Sequence, residues 1–513
     1  MKRITYFLII ALGMMACQNA SQTQTPAQPV SSSDFISTPS ADNKLEDATD
    51  NHRIEVTINN YKGDKLFLAN YYGTGTYLQD TATVDGGTFV FEADQPLEKG
   101  IYLVAIPPQN NYFEIIVDAD QVFSVETDSG DMAFMVSNMK IDGSKQNEVF
   151  YQDLNFLSGM RNKVVEIDNK IKELEGDQDA QQEWLDKRAA IDDEVLTERR
   201  KLAESHPGFL YSNVVLATMD AKIPPSPTDE NGNITDSLFA FKFARGHYFD
   251  GMNFLDDRLI RTPVMQSRVV NFLDRLTYRM PDSLNASIDM ILAQAKNNPD
   301  VYQFLISTIL NKYAESKIMV DEGVYVHMVE KYYLSGEAFW ADSTTLAKME
   351  ERARAISPNL VGRTAPNFVA QDGNNQPRPL HDIPGEYVIL YFWDYDCGHC
   401  KKETPKLAKA YKRYQDKGVT LFTVSINGDV EVWKEKLGEY DLDVANAINV
   451  QDHYRRSGFD KMYDVLSTPR LFVLDKDKKI MAKRISTETM VEILDRELGL
   501  EPEPKEEETE EAE

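Results

Sequence analysis

Cysteine is scarce in this chain, with three in 513 residues, at positions 17, 397 and 400. So few thiols exclude a disulfide-stapled scaffold. Histidine is also rare, and the six outside the 397–400 stretch (His52, His206, His247, His327, His381 and His453) show no metal-ligand spacing. No apolar run reaches the roughly 18 residues that a membrane-spanning helix needs. Basic residues are in deficit, 55 Lys and Arg against 83 Asp and Glu, for a formal charge of −28. That balance argues against nucleic acid or anionic lipid as partners and reads as solubility. No internal repeat stands out.

Two of the cysteines fall in a tight pattern, Cys397-Gly398-His399-Cys400. The preceding stretch from Tyr387 to Trp393 is β-branched and aromatic without helical periodicity, which predicts a buried strand. A polar, helix-like segment starts at Lys401. Cys397 therefore stands near a helix N-terminus, where the positive end of the helix dipole favours a thiolate. Cys400, three residues on, shares the helix face and lies within disulfide reach. As a staple the pair would be weak, because so small a loop contributes about 2 kcal/mol, against about 4.7 for a loop of about 100 residues. A zinc half-site lacks two further ligands, and haem attachment needs His where Lys401 stands. The pattern points to a redox pair that needs neither metal nor cofactor. Cys397 is then the nucleophile and Cys400 the resolving thiol. A protonated His399 stabilises the Cys397 thiolate, and Asp396 opposes it.

The surrounding residues extend the pattern. Phe392-Trp393 precede the pair, Glu403 follows three residues after it, Pro405 lies in the helix, and Thr468-Pro469 come downstream. Together with Thr364-Ala365-Pro366-Asn367-Phe368, they make residues 359–500 resemble the TlpA/ResA type of membrane-associated thiol–disulfide oxidoreductase, a thioredoxin fold. The resemblance implies a cis Pro469 beside the cysteines, presenting backbone to the substrate, and a Glu403 that tunes the thiols. Trp393, Thr468 and Pro469 are accordingly the expected substrate-binding residues, and Cys397, Cys400, His399 and Glu403 the catalytic ones. Two departures stand out. Asp396 replaces the usual Trp, and Gly398-His399 is the dipeptide of protein disulfide isomerases, which leaves the direction of electron flow open. A peroxidase would carry Pro and Thr or Ser where Leu390 and Asp394 stand.

The rest of the chain reads as several domains. Residues 1–16 carry Lys2 and Arg3 before a short apolar run, a signal-peptide pattern. Met14-Met15-Ala16-Cys17 looks like a lipoprotein box, so Cys17 is the expected lipidation site and the membrane anchor. Residues 17–51, rich in Ser, Thr, Gln and Pro, read as a disordered tether. From 52 to 143 alternation of period two, as in Ile54, Val56 and Ile58, predicts a β-sandwich. Val84-Asp85-Gly86-Gly87 marks a hairpin. This stretch resembles the β-domain ahead of thioredoxin domains in Bacteroidetes lipoproteins. Residues 144–358 read as an all-α domain whose seam, from Phe150 to Leu174, is either core or a dimer surface. Residues 359–500 form the α/β thioredoxin-like domain, and 501–513 an acidic disordered tail.

The function expected is a lipid-anchored, periplasm-facing oxidoreductase at the outer membrane. It would reduce or isomerise disulfides in exported proteins and be recharged by an upstream thiol donor. The alternative is a lipoprotein scaffold with regulatory or vestigial thiols.

Overall fold

The structure, a computed structural model, describes residues 51–108 and 111–501. The expected signal peptide, Cys17, nearly all of the tether and the acidic tail past residue 501 lie outside the described residues. The chain divides into two compact units. One comprises the described residues within 1–277 together with 290–304; the other comprises 278–289 and those from 305 onward.

The first unit opens with strands β1 (His52–Asn59), β2 (Lys65–Tyr72), β3 (Gly75–Asp85), β4 (Thr88–Ala93), β5 (Gly100–Ile106), β6 (Asn111–Val117), β7 (Val122–Asp128) and β8 (Lys140–Asp142). Alternate residues of β1 are buried, as the period of two requires. Gly86 and Gly87 take φ of 58° and 94°, the left-handed values that a tight hairpin turn demands. The expected sandwich is corrected in one respect, because all eight strands hydrogen-bond in one sheet, in the order β6-β5-β2-β3-β4-β1-β7-β8. Long β3 pairs with β2 over most of its length and passes to β4 at Val84 and Asp85. A register shift at Leu68/Ala69 interrupts the β2–β3 pairing opposite Asp80 and Leu78. Inward residues of both halves, among them Ile54, Leu66, Phe91, Val104 and Phe113, then share a single core.

A helical hairpin follows, Lys145–Glu173 and Gln178–Ser205. Ser144 and Asp177 cap the two helices through side-chain oxygens that accept N–H groups of Asn147 and Ala180. Between them Gly176 supplies a φ of 105°. Buried Asp153 joins the helices by an ion pair to Arg199 at 3.1 Å and accepts the Tyr211 hydroxyl at 2.6 Å.

The second unit carries helices that include Asp321–Met328 and Ser343–Ile356, and then a mixed sheet. Its strands are β9 (Val369–Asp372), β10 (Pro377–Pro379), β11 (Tyr387–Trp393), β12 (Val419–Ser425), β13 (Ala447–Gln451), β14 (Arg470–Asp475) and β15 (Ile480–Lys483). Their order is β10-β9-β13-β12-β11-β14-β15. Central β11 runs parallel to β12 and antiparallel to β14. Both its faces are covered, which is why its sequence is apolar without alternation. Ile389, Tyr391 and Trp393 pack with Leu407, Tyr411 and Met490, while Val388, Leu390 and Phe392 pack with Phe422, Phe459 and Phe472. Fully burying each such aliphatic or phenyl side chain contributes about 1.5–3 kcal/mol.

The outer edge of β15 is covered by the segment entering the sheet. Ile480 exchanges backbone hydrogen bonds with Gly362 and Arg363 at 2.8 and 2.9 Å. The helix that His453 to Tyr463 suggests shrinks to Phe459–Met462. Asp452 accepts the N–H groups of Arg456 and Ser457, and Arg455 and Gly458 turn to φ of 49° and 73°, so residues 452–458 fold as turns.

Candidate active site

Parallel pairing of β11 with β12 brings their C-terminal loops to the same end of the sheet, the end at which open α/β sheets bind their ligands. The Cys397 tetrad leaves β11 there and enters the redox helix, Gly398–Tyr411. Cys397 is the N-cap residue of that helix, half-buried, while Cys400 is fully buried. Both are free thiols.

Their environments push them apart. Backbone N–H donation from Cys400 holds the Cys397 thiol below its ordinary value of 9.0 against some desolvation, and the His399 N–H and Thr468 side chain help. These are the free amides of a helix N-terminus acting on an anion. Burial does the opposite at Cys400 and pushes it up to about 11, although it accepts the Asp394 N–H at 3.4 Å. The Thr468 side chain bears on both sulfurs, and its carbonyl oxygen accepts the Cys397 thiol at 3.4 Å. The Thr468–Pro469 peptide is cis, as the resemblance implied. Thr468 and Pro469, both half-buried, thus flank the nucleophile from the other side.

The remaining expected residues divide. His399 is exposed, and its imidazole enters no hydrogen bond or ion pair among the described residues. Glu403 is one turn beyond Cys400 and forms an ion pair with Lys406 at 3.0 Å. Trp393 is corrected: expected to touch substrate, it is 0 % exposed and packs in the core beneath the redox helix. Its place as the last residue of β11 turns the indole inward, and Nε1 lies buried without a partner. It braces the site from below.

Other residues of the site carry no local signal. Tyr391, buried on β11, hydrogen-bonds the Thr404 hydroxyl of the redox helix at 3.0 Å and so ties helix to strand. Asn427 follows β12 and donates to Asp394 at 2.7 Å and to Asp396 at 3.3 Å, while its Oδ1 accepts the Tyr395 N–H at 3.0 Å. It clamps the turn that delivers Cys397. The pairing of Trp393 with Ser425 sets these two loops side by side, and parallel-strand register is the signal that could have found them. Among the described residues no cluster of His, Cys, Asp and Glu is arranged to hold a metal, and no helix is long and apolar enough to cross a membrane.

A half-exposed thiol held below its ordinary value, paired with a buried one raised above it, performs thiol–disulfide exchange. Residues 361–483 match the AhpC/TSA family, and 52–150 and 216–359 match two domains of unknown function, DUF4369 and DUF5106. Over 129 residues the chain is 32 % identical to a thiol-disulfide oxidoreductase ResA of Bacillus cereus, covering 25 % of this chain and 72 % of that protein. The chain belongs to the ResA-like family of thiol-disulfide oxidoreductases. The ResA of Geobacillus thermodenitrificans is 34 % identical over 131 residues, 25 % of this chain and 71 % of that one. A solved domain of a possible thiol-disulfide isomerase from Cytophaga hutchinsonii is 36 % identical, covers 27 % of this chain and 92 % of its own, and superposes with a TM-score of 0.25. In this ResA-like chain the homologous stretch holds Cys397, Cys400 and Thr468.

Proposed function

We propose that this chain is a lipid-anchored, periplasm-facing enzyme at the outer membrane that reduces or isomerises disulfides in exported proteins. The observation that carries the reading is the inequality of the two thiols, one half-exposed and held below its ordinary value, the other buried and raised.

Capture begins with the Cys397 thiolate attacking one sulfur of a substrate disulfide. A mixed disulfide forms, and the other substrate sulfur leaves as a thiolate. Cys400 then loses its proton and attacks the Cys397 sulfur, which closes the Cys397–Cys400 disulfide and expels the second substrate thiolate. Two electrons have passed to the substrate, which takes up two protons. An upstream dithiol returns the pair to its starting state. Thr468 and Pro469 offer backbone to the captured strand, the His399 N–H steadies the Cys397 thiolate, as its imidazole would when protonated, and Glu403 takes the resolving proton.

Cys400→Ala keeps the nucleophile and removes resolution, so it accumulates mixed disulfides in cells; Cys397→Ala accumulates none. Adducts of equal yield through either cysteine would overturn the assignment. The anchor rests on the sequence around Cys17. Cys17→Ser releases the protein from the membrane fraction, and its retention there would refute that part.

A further inference from the structure

The loop that brings Thr468 to the sulfurs has no regular structure of its own from Val465 to Pro469. Its upstream hinge is Asp464, a non-glycine residue at φ 50° that is only 7 % exposed. The Asp464 carboxylate is held by an ion pair with Arg484, which is itself left-handed at φ 55°. Two such backbone conformations persist only where surrounding contacts over-determine them. Some of those contacts come from outside the thioredoxin-like sheet. Glu322, in the Asp321–Met328 helix, accepts from Arg484 at 3.2 Å and pairs with Lys483, whose side chain is 1 % exposed. Lys483 also donates at 2.6 Å to buried Asn359, which in turn donates to the Met462 carbonyl at 3.0 Å.

The other charges at this cluster are cations. Arg352 lies 4.0 Å from Asp464. Arg470, the residue after Pro469, holds Ser467 at 2.8 Å and is held below its ordinary value by burial and by Arg484. Among the described residues four cations thus meet two carboxylates, and Glu322 is the one that forms direct ion pairs with both Lys483 and Arg484.

We propose that Glu322 is a positioning residue of the redox site: through Arg484 and Asp464 it fixes the 464–470 loop and hence the place of Thr468 against Cys397 and Cys400. The inference rests on the thiol-exchange reading. It gives the helix carrying Glu322, within the stretch that matches DUF5106, a part in tuning the thiols. Loss of Glu322 leaves Lys483 a buried cation without its carboxylate and frees Arg484 to leave Asp464. The loop then relaxes, the Thr468 side chain, which helps hold the Cys397 thiol below its ordinary value, draws away from the sulfur, and the Cys397 thiolate loses part of its stabilisation.

The test is the pH profile of Cys397 alkylation by iodoacetamide in the full reduced chain. It compares wild type, Glu322→Gln, Glu322→Gln/Lys483→Met and Thr468→Val. The double variant removes the orphaned ammonium and guards against misfolding. Expected is a midpoint displaced upward in both Glu322 variants, toward that of Thr468→Val, with alkylation at pH 7 slowed about 3- to 10-fold, the equivalent of a half to one pKa unit. A folded Glu322 variant, single or double, that keeps the wild-type midpoint overturns the proposal and reduces Glu322 to a stability element. Alkylation reads the thiol and not turnover. A wild type that leaves insulin disulfides intact refutes the exchange reading, and an unmoved alkylation midpoint refutes this one, so the two failures are told apart.

Discussion

The decisive consequence of the site is a difference in reactivity between two sulfurs three residues apart. Cys397 lies below 9.0 and Cys400 at about 11, so their separation is at least 11 − 9 = 2 units. At pH 7 that makes the Cys397 thiolate at least about 100 times as abundant. A more basic thiolate is the better nucleophile, and with a Brønsted slope of about 0.45 two units return a factor of about 8 to Cys400. The net preference is still more than about tenfold, before the complete burial of Cys400 is counted. A short iodoacetamide pulse on the reduced protein at pH 7, followed by peptide mass spectrometry, therefore labels Cys397 at least about tenfold faster. The same pulse in concentrated urea removes helix and burial together and brings the two rates within about a factor of two, because both thiols return toward the same ordinary pKa. Equal labelling in the native protein would refute the helix-terminus argument, and so would a preference that survives unfolding.

Two further outcomes concern the first unit. Glu114, buried and accepting the Tyr71 hydroxyl at 2.8 Å, is raised by burial from 4.5 to about 8. Its folded value lies above its unfolded one, so its contribution is present below pH 4.5 and lost as pH climbs through about 8. The 3.5 units amount to about 4–5 kcal/mol. Glu114→Gln therefore flattens the fall in denaturant stability between pH 5 and pH 8, and a difference curve without slope would sink the idea. At Gly251 an added Cβ would stand 2.1 Å from the Leu216 carbonyl oxygen, so Gly251→Ala costs about 1–3 kcal/mol, and a melt matching wild type would contradict that contact.

What could be read from the sequence was local. Alternation in Ile54, Val56 and Ile58, the apolar run of β11 and the Cys397 tetrad each announce themselves within a few residues, because period and turn chemistry act at that range. Trp393 misled for the same reason. Its neighbourhood to Cys397 along the chain says nothing of which sheet face it takes, and the pleat turned it into the core. Asn427, 31 residues beyond Asp396, and Glu322, 162 residues before Arg484, enter through strand register and tertiary packing. Neither has a sequence pattern of its own. The short strands β9 and β10 carry no period of their own, and β10 holds two prolines, which are at home on an outer strand.

Those two prolines have a consequence for how the sheet meets any other polypeptide. A sheet whose last strand offers free amides invites any extended chain to add itself as one more strand, and such growth leads to aggregates. On the β10 side, residues 377 and 379 have no amide hydrogen to offer. On the β15 side, Gly362 and Arg363 already occupy the backbone groups of Ile480. Both borders of the sheet are closed to a wandering strand. A polypeptide that exchanges a disulfide with this chain would therefore be held through its sulfur and the loops around it, and released again, without being knitted into its catalyst.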